Sequence, residues 1–294
     1  MLYLAQELTG TTIDNISTYS ITAGESISAW SSGTTYNQGD YVSYNNYVYL
    51  SVVNSNLNNT PSNDLGKWLL WEVSNEFAMF DLQTNTETIC NSLTSTGGSP
   101  YNLTATINVD GMDYLAFSAV KGTQLTIVEK NVSASTLTTT NKTISNGEIN
   151  YAHQLDASAY TVEITVSQVT GDTYSSIGSL IGGTSISLGD TRYTPNFSFS
   201  SFLTQTTDPS GITSFDSTAV EELIDVDIVF DSINAISIKK TLKNIKGSPS
   251  AFILDESSGS IYENLVTIGV IDDFTIVITN PNKTFATISI QEVL

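Results

Sequence analysis

Alternation of apolar and polar residues dominates the middle of the chain. The segments "LTATINVDG", "YLAFSAV", "TQLTIVEK" and "AYTVEITVS" alternate with a period of two and are rich in β-branched and aromatic side chains. Clusters of Gly, Asn, Asp and Ser separate them at short intervals. This pattern predicts an antiparallel β-sandwich over residues 76–176.

The region 177–294 combines strand patterns with one helical pattern. In "DSINAISIKKTLKNIKGSP" the apolar positions recur at helical spacing, at Ala235, Ile238, Leu242 and Ile245. Asp231 or Ser232 could cap a helix near 232–246, and the following Gly-Ser-Pro would end it. Strand patterns flank it in "LIDVDIVFD", "AFILDE", "LVTIGVI", "FTIVITN" and "ATISIQEV". We therefore predict a C-terminal α+β domain with one amphipathic helix.

The N-terminal quarter divides into an arm and a small aromatic module. Residues 1–25 have some apolar content and end at the turn-like "TAGES", so we expect an arm that orders against a neighbour. In residues 26–75, "GDYVSYNNYVYLS" alternates like a hairpin, with Asn45 and Asn46 at the turn. "NEFAMFD" follows without a flexible linker, which predicts a docked module. The predicted fold class is therefore mainly β.

Composition and charge limit the partners and the kinds of site that we expect for this chain. The chain has 294 residues, with 10 Lys and Arg against 30 Asp and Glu, a formal charge of −20. This balance argues against nucleic acid and against an anionic membrane surface as partners. Cys90 is the single cysteine and His153 the single histidine, so we expect no metal site built on these residue types and no cofactor. The sequence has no long apolar span and its start does not resemble a secretory signal, so we expect no membrane insertion and synthesis in a cytoplasm.

The aromatic residues of the module allow two interpretations. Aromatic faces stack on sugar rings, and a run of them could bind a polysaccharide. The same rings could instead fill the core of a module that is too small for a large aliphatic one. The spacing alone leaves both interpretations open.

Part of the module resembles a known family. Ala29-Trp30, Tyr36, "GDYVSYNN", Tyr49, Pro61 and Trp68 follow the order seen in the small chitin- and cellulose-binding modules, over about 45 residues. The resemblance implies that Trp30, Tyr49 and Trp68 mainly hold the fold. The exposed aromatic pair of that family would fall near residues 52–54, where this sequence reads Val-Val-Asn. We therefore expect any glycan contact to involve other aromatic residues, namely Tyr44, Tyr47 and Trp71.

Most of the chain also resembles a group of tailed-bacteriophage tail proteins. The segments that carry the resemblance are "NEFAMFD", "IGSLIGGTSISLGDTRY", "IKKTLKNIKGSPSAFI" and "FTIVITNPNKTFATISIQEVL". It implies a non-enzymatic component of a tail tip or baseplate, located in the virion and assembled with other phage tail proteins. By analogy with such assemblies we expect a homo-oligomer that could touch a host glycan. The alternative is an adhesin module whose main task is polysaccharide binding.

Three further groups of residues could carry chemistry. Asp225 and Asp227 share a strand face, where they could form a hard-cation site or the acid/base pair of a glycosidase, or belong to a solvated polar face. His153 has no local partner pattern and no Gly-x-Ser-x-Gly elbow is present, which argues against a serine hydrolase. The lysines of the predicted helix could dock an acidic partner or simply complement the helix dipole; they are Lys239, Lys240, Lys243 and Lys246. Asp272-Asp273 reads as a turn.

Overall fold

The fold is described from a computed structural model. The described residues are 1–5, 20–21, 24–83, 85–96, 99–145, 147–168, 174–192, 195–207, 213–254, 265–278 and 281–293. Most of the predicted N-terminal arm lies outside these residues. Side chains at 5, 20–21 and 200–221 are not described.

The described residues form twenty-two strands, one α-helix and two short 3₁₀ turns. In chain order the strands are β1 (Leu2–Ala5), β2 (Ser20–Ile21), β3 (Thr35–Tyr36), β4 (Tyr41–Tyr44), β5 (Tyr47–Ser51), β6 (Asn56–Leu57), β7 (Trp68–Val73), β8 (Thr88–Asn91), β9 (Leu103–Asn108), β10 (Tyr114–Lys121), β11 (Gln124–Lys130), β12 (Thr136–Thr143), β13 (Glu148–Gln154), β14 (Thr161–Val166), β15 (Tyr174–Gly183), β16 (Ser185–Ser187), β17 (Asp190–Thr191), β18 (Asn196–Thr207), β19 (Thr213–Asp231), β20 (Ser250–Ile253), β21 (Val266–Ile278) and β22 (Lys283–Glu292). The helix α1 is Ala235–Ile245, and the 3₁₀ turns are Ala78–Phe80 and Ser232–Asn234.

Two antiparallel sheets form a sandwich in the middle of the chain. One has the order β13-β10-β15-β8 and the other the order β12-β11-β14-β9-β2. Their facing side chains alternate along each strand, as in β9 and β14, and pack into one large apolar cluster. The predicted antiparallel sandwich is therefore confirmed, because burial of alternate residues is what a two-sheet core requires.

The C-terminal region is an eight-stranded sheet that carries α1 on one face. Its order is β16-β1-β20-β21-β22-β19-β17, with β18 added on β19. The four apolar positions of α1 are buried against β19, β21 and β22, as the helical spacing predicts. No side-chain hydrogen bond caps α1, whose N-cap is Asn234 rather than the expected Asp231 or Ser232. The intervening 3₁₀ turn moves the start of the α-helix beyond those two residues.

The eight-stranded sheet packs on the outer face of the four-stranded sheet. Strand β10 therefore contributes to two cores: Leu115 and Phe117 face the sandwich interior, while Tyr114 and Ala116 face the C-terminal sheet. This burial on both faces explains why every residue of β10 and β15 is buried or half-buried, with no alternation between buried and exposed positions.

Several sequence-based boundaries change in the structure. Residue 177 lies inside β15, which stays in the four-stranded sheet as far as Gly183, so this strand runs through the predicted domain boundary. Packing requires Gly178 next to that boundary, because a Cβ on it would lie 2.8 Å from the Cβ of Ala119. Likewise, Asp272-Asp273 is not a turn, because β21 continues through both residues with a bulge between Ile271 and Asp273.

The start of the chain is also placed differently from the prediction. Strand β1 pairs with β16 and β20 of the same chain, so its order needs no neighbouring molecule. Its side chains alternate between two cores: Leu2 and Leu4 face the sandwich, and Tyr3 faces α1 and its surrounding strands.

We expect the substitution Leu4→Ala to destabilise the protein strongly, because Leu4 is fully buried between the eight-stranded and the four-stranded sheet. Removing such a side chain typically lowers the free energy of unfolding by about 2–5 kcal/mol. Chemical denaturation would measure the loss, with the exposed Val132→Ala as a control expected to change stability by less than about 0.5 kcal/mol. Equal stability of Leu4→Ala and the wild type would contradict the assigned packing of β1.

Candidate functional site

The aromatic module is a three-stranded sheet, β4-β5-β7, with a small β3-β6 ladder beside it. The predicted hairpin is confirmed: Tyr44 pairs with Tyr47, and Asn45 and Asn46 both have positive φ, as a tight two-residue turn requires. One face of the sheet is a compact core of Tyr36, Val42, Tyr49 and Trp68.

The residues that the family resemblance assigns to the module core lie in or against this cluster. Trp68 is buried, and its indole N–H donates to the carbonyl of Asn59 at 2.9 Å. Tyr49 is buried beside it. Trp30 is half-buried and packs edge-to-face on Tyr44, with ring centroids 5.5 Å apart. Tyr44 is therefore occupied by the core rather than presented for stacking.

A β-bulge sets the position of Trp71. Val48 pairs with Glu72 and Tyr49 with Leu70, so Trp71 is the extra residue and has no partner across the ladder. A bulge redirects the extra side chain, and the indole of Trp71 is 52% exposed. The ring of Tyr41 packs against it edge-on, with centroids 5.4 Å apart, and so limits its rotation.

The segment after β7 docks the module on the sandwich. The side chain of Asn75 donates to the carbonyls of Gly24 (3.0 Å) and Ile89 (2.9 Å) and accepts from the Ile89 N–H (2.9 Å). Phe77, which precedes the first 3₁₀ turn, and Phe80, its last residue, then enter the sandwich core. The predicted docking without a flexible linker is confirmed.

A groove lies where the module meets this segment. It has a volume of about 550 Å³. Its apolar wall contains the rings of Tyr47, Trp71, Phe77 and Phe80, and Tyr47 is 44% exposed. Polar groups also line it, namely Asn46, Glu72, Asp81, Gln83 and Thr86. Of the three aromatic residues predicted to contact a glycan, the structure thus brings Tyr47 and Trp71 together and leaves Tyr44 aside.

Asp81 is held in a fixed position in this groove. Both carboxylate oxygens lie 2.9 Å from the Thr86 hydroxyl, and Oδ1 also accepts the Gln83 N–H at 2.9 Å. Burial raises the pKa of Asp81 above its ordinary value, although these hydrogen bonds oppose the shift. The sequence did not indicate Asp81, Gln83 or Thr86, because only the docking of the module brings them beside Trp71.

The lysines of α1 form a separate surface. All four are exposed; Lys246 pairs with Asp273 at 3.5 Å, and no ion pair with another described residue is present for Lys239, Lys240 and Lys243. Two apolar side chains stand beside them, Ile233 at 88% and Ile236 at 84% exposure. We call this face of Ile233, Ile236 and the four lysines the basic-apolar face.

The carboxylates of β19 have ordinary polar neighbours. Asp225 and Asp227 share a face opposite Val226 and Ile228, as the alternation predicts, and accept hydrogen bonds from Ser289 and Thr287 of β22. Across the described ranges, no group of three or more His, Cys, Asp and Glu side chains is placed to hold a metal ion.

His153 does have a partner, although none is visible locally in the sequence. Its Nε2 lies 2.9 Å from Oε1 of Glu129, which also accepts the Thr138 hydroxyl at 2.6 Å. Oε2 of Glu129 accepts the backbone N–H of Asp156 at 2.7 Å. His153 lies in β13 and Glu129 in β11, so this buried pair joins the two sheets of the sandwich. The pair lines neither the groove nor any other described site.

The similarities of this chain to known proteins come from solved structures. No family model matches the chain, and no curated protein has a similar sequence. Among solved structures, a family 32 carbohydrate-binding module of Clostridium perfringens NanJ in complex with galactose is 19% identical and covers 37% of this chain and 83% of its own, with a TM-score of 0.29. A chitosan-binding module of a Paenibacillus chitosanase/glucanase is 14% identical, covers 36% of this chain and 81% of its own, and has a TM-score of 0.27.

A third similar structure is the lectin domain of lectinolysin in complex with Lewis B antigen. It is 10% identical, covers 36% of this chain and 82% of its own, and has a TM-score of 0.26. These three solved structures are two carbohydrate-binding modules and one lectin domain. At these identities and TM-scores they assign no ligand to this chain. In the part of the chain that the structure describes, no helix has the length and apolarity needed to cross a membrane.

We expect the buried pair of Glu129 and His153 to make stability depend on pH. Burial alone would raise the pKa of Glu129, but hydrogen bonds from Thr138, Asp156 and His153 outweigh it and lower the pKa below its ordinary value of 4.5. A lowered pKa in the fold gives stability that is present above the ordinary value and is lost as the pH falls through the lowered one. Melting temperatures between about pH 6 and pH 3 should therefore fall more steeply for the wild type than for Glu129→Gln.

The matched control for this titration is Glu163→Gln, because Glu163 pairs with Lys130 on the surface, where ion pairs contribute little. It should follow the wild-type curve. Parallel curves for Glu129→Gln and the wild type would show that the buried pair contributes nothing to the acid sensitivity.

Proposed function

We propose that this protein binds glycans through the groove between the aromatic module and the sandwich. The observation that carries the proposal is the convergence of two exposed aromatic rings, Tyr47 and Trp71, with five polar side chains on one concave surface. Sugar rings present weakly apolar C–H faces and a rim of hydroxyl groups, so they need both kinds of contact at once. No catalytic step is part of this proposal.

Preorganisation supports the proposal. The bulge and the Tyr41 ring orient Trp71, and the Thr86 and Gln83 hydrogen bonds orient Asp81. Groups that are already held in place lose little conformational entropy when a ligand binds. Exposed aromatic rings that stand together on a surface are also a common mark of an interaction site.

We expect Trp71→Ala to weaken glycan binding by about tenfold, which corresponds to about 1.4 kcal/mol of lost stacking. Retention on insoluble chitin, cellulose and isolated host-surface glycans would measure it, followed by titration of the retained sugar. Tyr47→Ala should weaken binding in the same way. Tyr44→Ala should affect stability more than binding, because Tyr44 packs on Trp30.

The matched control is Phe199→Ala, since Phe199 is an aromatic residue of β18 that is 70% exposed and does not line the groove. Full retention of this variant together with loss for Trp71→Ala would support the groove. Equal retention of the Trp71→Ala variant and the wild type would place glycan contact elsewhere or refute it.

We infer as a second role that the protein is a structural component of a bacteriophage tail, located in the virion, where glycan binding would serve contact with a host. The inference starts from the tail-protein resemblance of the sequence. It is favoured by the basic-apolar face, because two isoleucines that are more than four-fifths exposed are suited to burial against a neighbouring subunit. The exposed lysines would steer an acidic tail protein, or another copy of this acidic chain, to that face.

Gold-labelled antibody on purified particles, with peptide mass spectrometry, tests the tail assignment. We expect label at the tail tip or baseplate, and we expect Lys240→Glu/Lys243→Glu to lower incorporation into particles without altering glycan retention. The control Lys67→Glu reverses one charge on the aromatic module, outside the basic-apolar face. Absence of the protein from particles would refute the tail role and leave a free glycan-binding adhesin.

A further inference from the structure

The charges around the groove indicate which glycans it can accept. Its charged lining residues are Glu72 and Asp81, both acidic, and none of the chain's ten basic residues lines it. The module contributes one basic residue, Lys67, which is engaged by Asp64 at 3.4 Å and by Asn59 at 2.8 Å. A sugar in the groove would therefore meet carboxylates without any neighbouring cation from the lining.

We propose that Glu72 and Asp81 make the groove select glycans by charge, so that it favours sugars bearing a protonated amine over neutral ones and rejects anionic ones. This rests on the proposed glycan function and adds a ligand class to it. The aromatic walls would supply affinity common to all three classes, since stacking does not depend on sugar charge. The two carboxylates would supply the difference in affinity between the three classes of sugar.

The placement of the carboxylates suits this role. Glu72 directly follows Trp71 in β7, so a sugar stacked on the indole lies close to a carboxylate. Asp81 lines the same groove from the segment after the module, and its hydrogen bonds to Thr86 and Gln83 keep its oxygens ordered. Partial burial of Asp81 reduces solvent screening, which lengthens the reach of its charge.

The overall negative charge of the protein adds a long-range repulsion of anionic glycans to the effect of the groove. With a formal charge of −20, the surface repels anionic polymers before they reach the groove. That general effect decays with added salt, whereas the contribution of a specific pair within the groove decays less. A local change at Glu72 therefore separates the groove from the general field.

The test uses three oligosaccharides of equal length: a neutral N-acetylglucosamine oligomer, its de-N-acetylated form and an oligouronate. Calorimetric titration at about pH 6, where amines of this kind are protonated, would compare them at low and moderate salt. We expect the amine-bearing oligomer to bind about three- to tenfold more tightly than the neutral one, and the oligouronate to bind least. Glu72→Gln should lower the ratio of the affinity for the amine-bearing oligomer to the affinity for the neutral oligomer, bringing it towards unity.

The matched control is Glu148→Gln, which removes the same charge from an exposed position on β13 outside the groove. It should keep the wild-type preference. Asp81→Asn is a second variant, expected to reduce the preference as Glu72→Gln does. Melting curves should show that both groove variants remain folded.

The outcomes distinguish the two levels of the proposal. Neutral binding equal to or tighter than amine binding in the wild type would overturn charge selection and leave glycan binding intact. Equal loss of preference in Glu72→Gln and Glu148→Gln would also overturn it, since net charge would then suffice. Failure of all three sugars to bind, together with no retention on chitin, cellulose or host-surface glycans, would refute the glycan function itself.

Discussion

Burial of the four-stranded sheet on both faces is the constraint on which the rest of the molecule depends. One face closes the sandwich, and the other packs on the eight-stranded sheet through Tyr114, Ala116 and Ile181. The sheet is therefore shared between two cores, and neither neighbouring layer can separate without exposing apolar surface to water. Strand β1 reinforces this arrangement from the other side, because its alternate residues enter two cores.

The shape of the groove depends on this packing of the sheets. Phe77 and Phe80 belong to the sandwich core and also line the groove, so its floor is as fixed as the sandwich itself. Its wall comes from the module, whose position is set by Asn75 and by the packing of Val73. A groove built across such a junction needs both parts in place, and neither the module nor the sandwich forms it alone.

Sequence patterns predicted the features that depend on local periodicity. Period-two alternation located the sandwich strands, and helical spacing located α1, because one-sided burial leaves a regular trace along the chain. This alternation disappears where both faces of a strand are buried. The sequence therefore did not show β15 as one strand, and the predicted domain boundary at residue 177 falls inside it. Sequence periodicity also does not reveal strand pairing between distant segments, so β1 was predicted as part of an arm. The exposure of Trp71 depends on a bulge, and the approach of Asp81 depends on docking; neither is encoded locally.

The position of β1 bears on how the protein is made. Leu2 pairs with Ser187 and with Ile253, so β1 must wait for partners that are synthesised much later. At about 5–20 residues per second, translation from β1 to β20 takes on the order of 10–50 seconds. The sandwich strands are complete well before that, and the sandwich can fold while β1 is still unpaired. Completion of the C-terminal sheet is then a late step in folding, because it must follow the synthesis of β20.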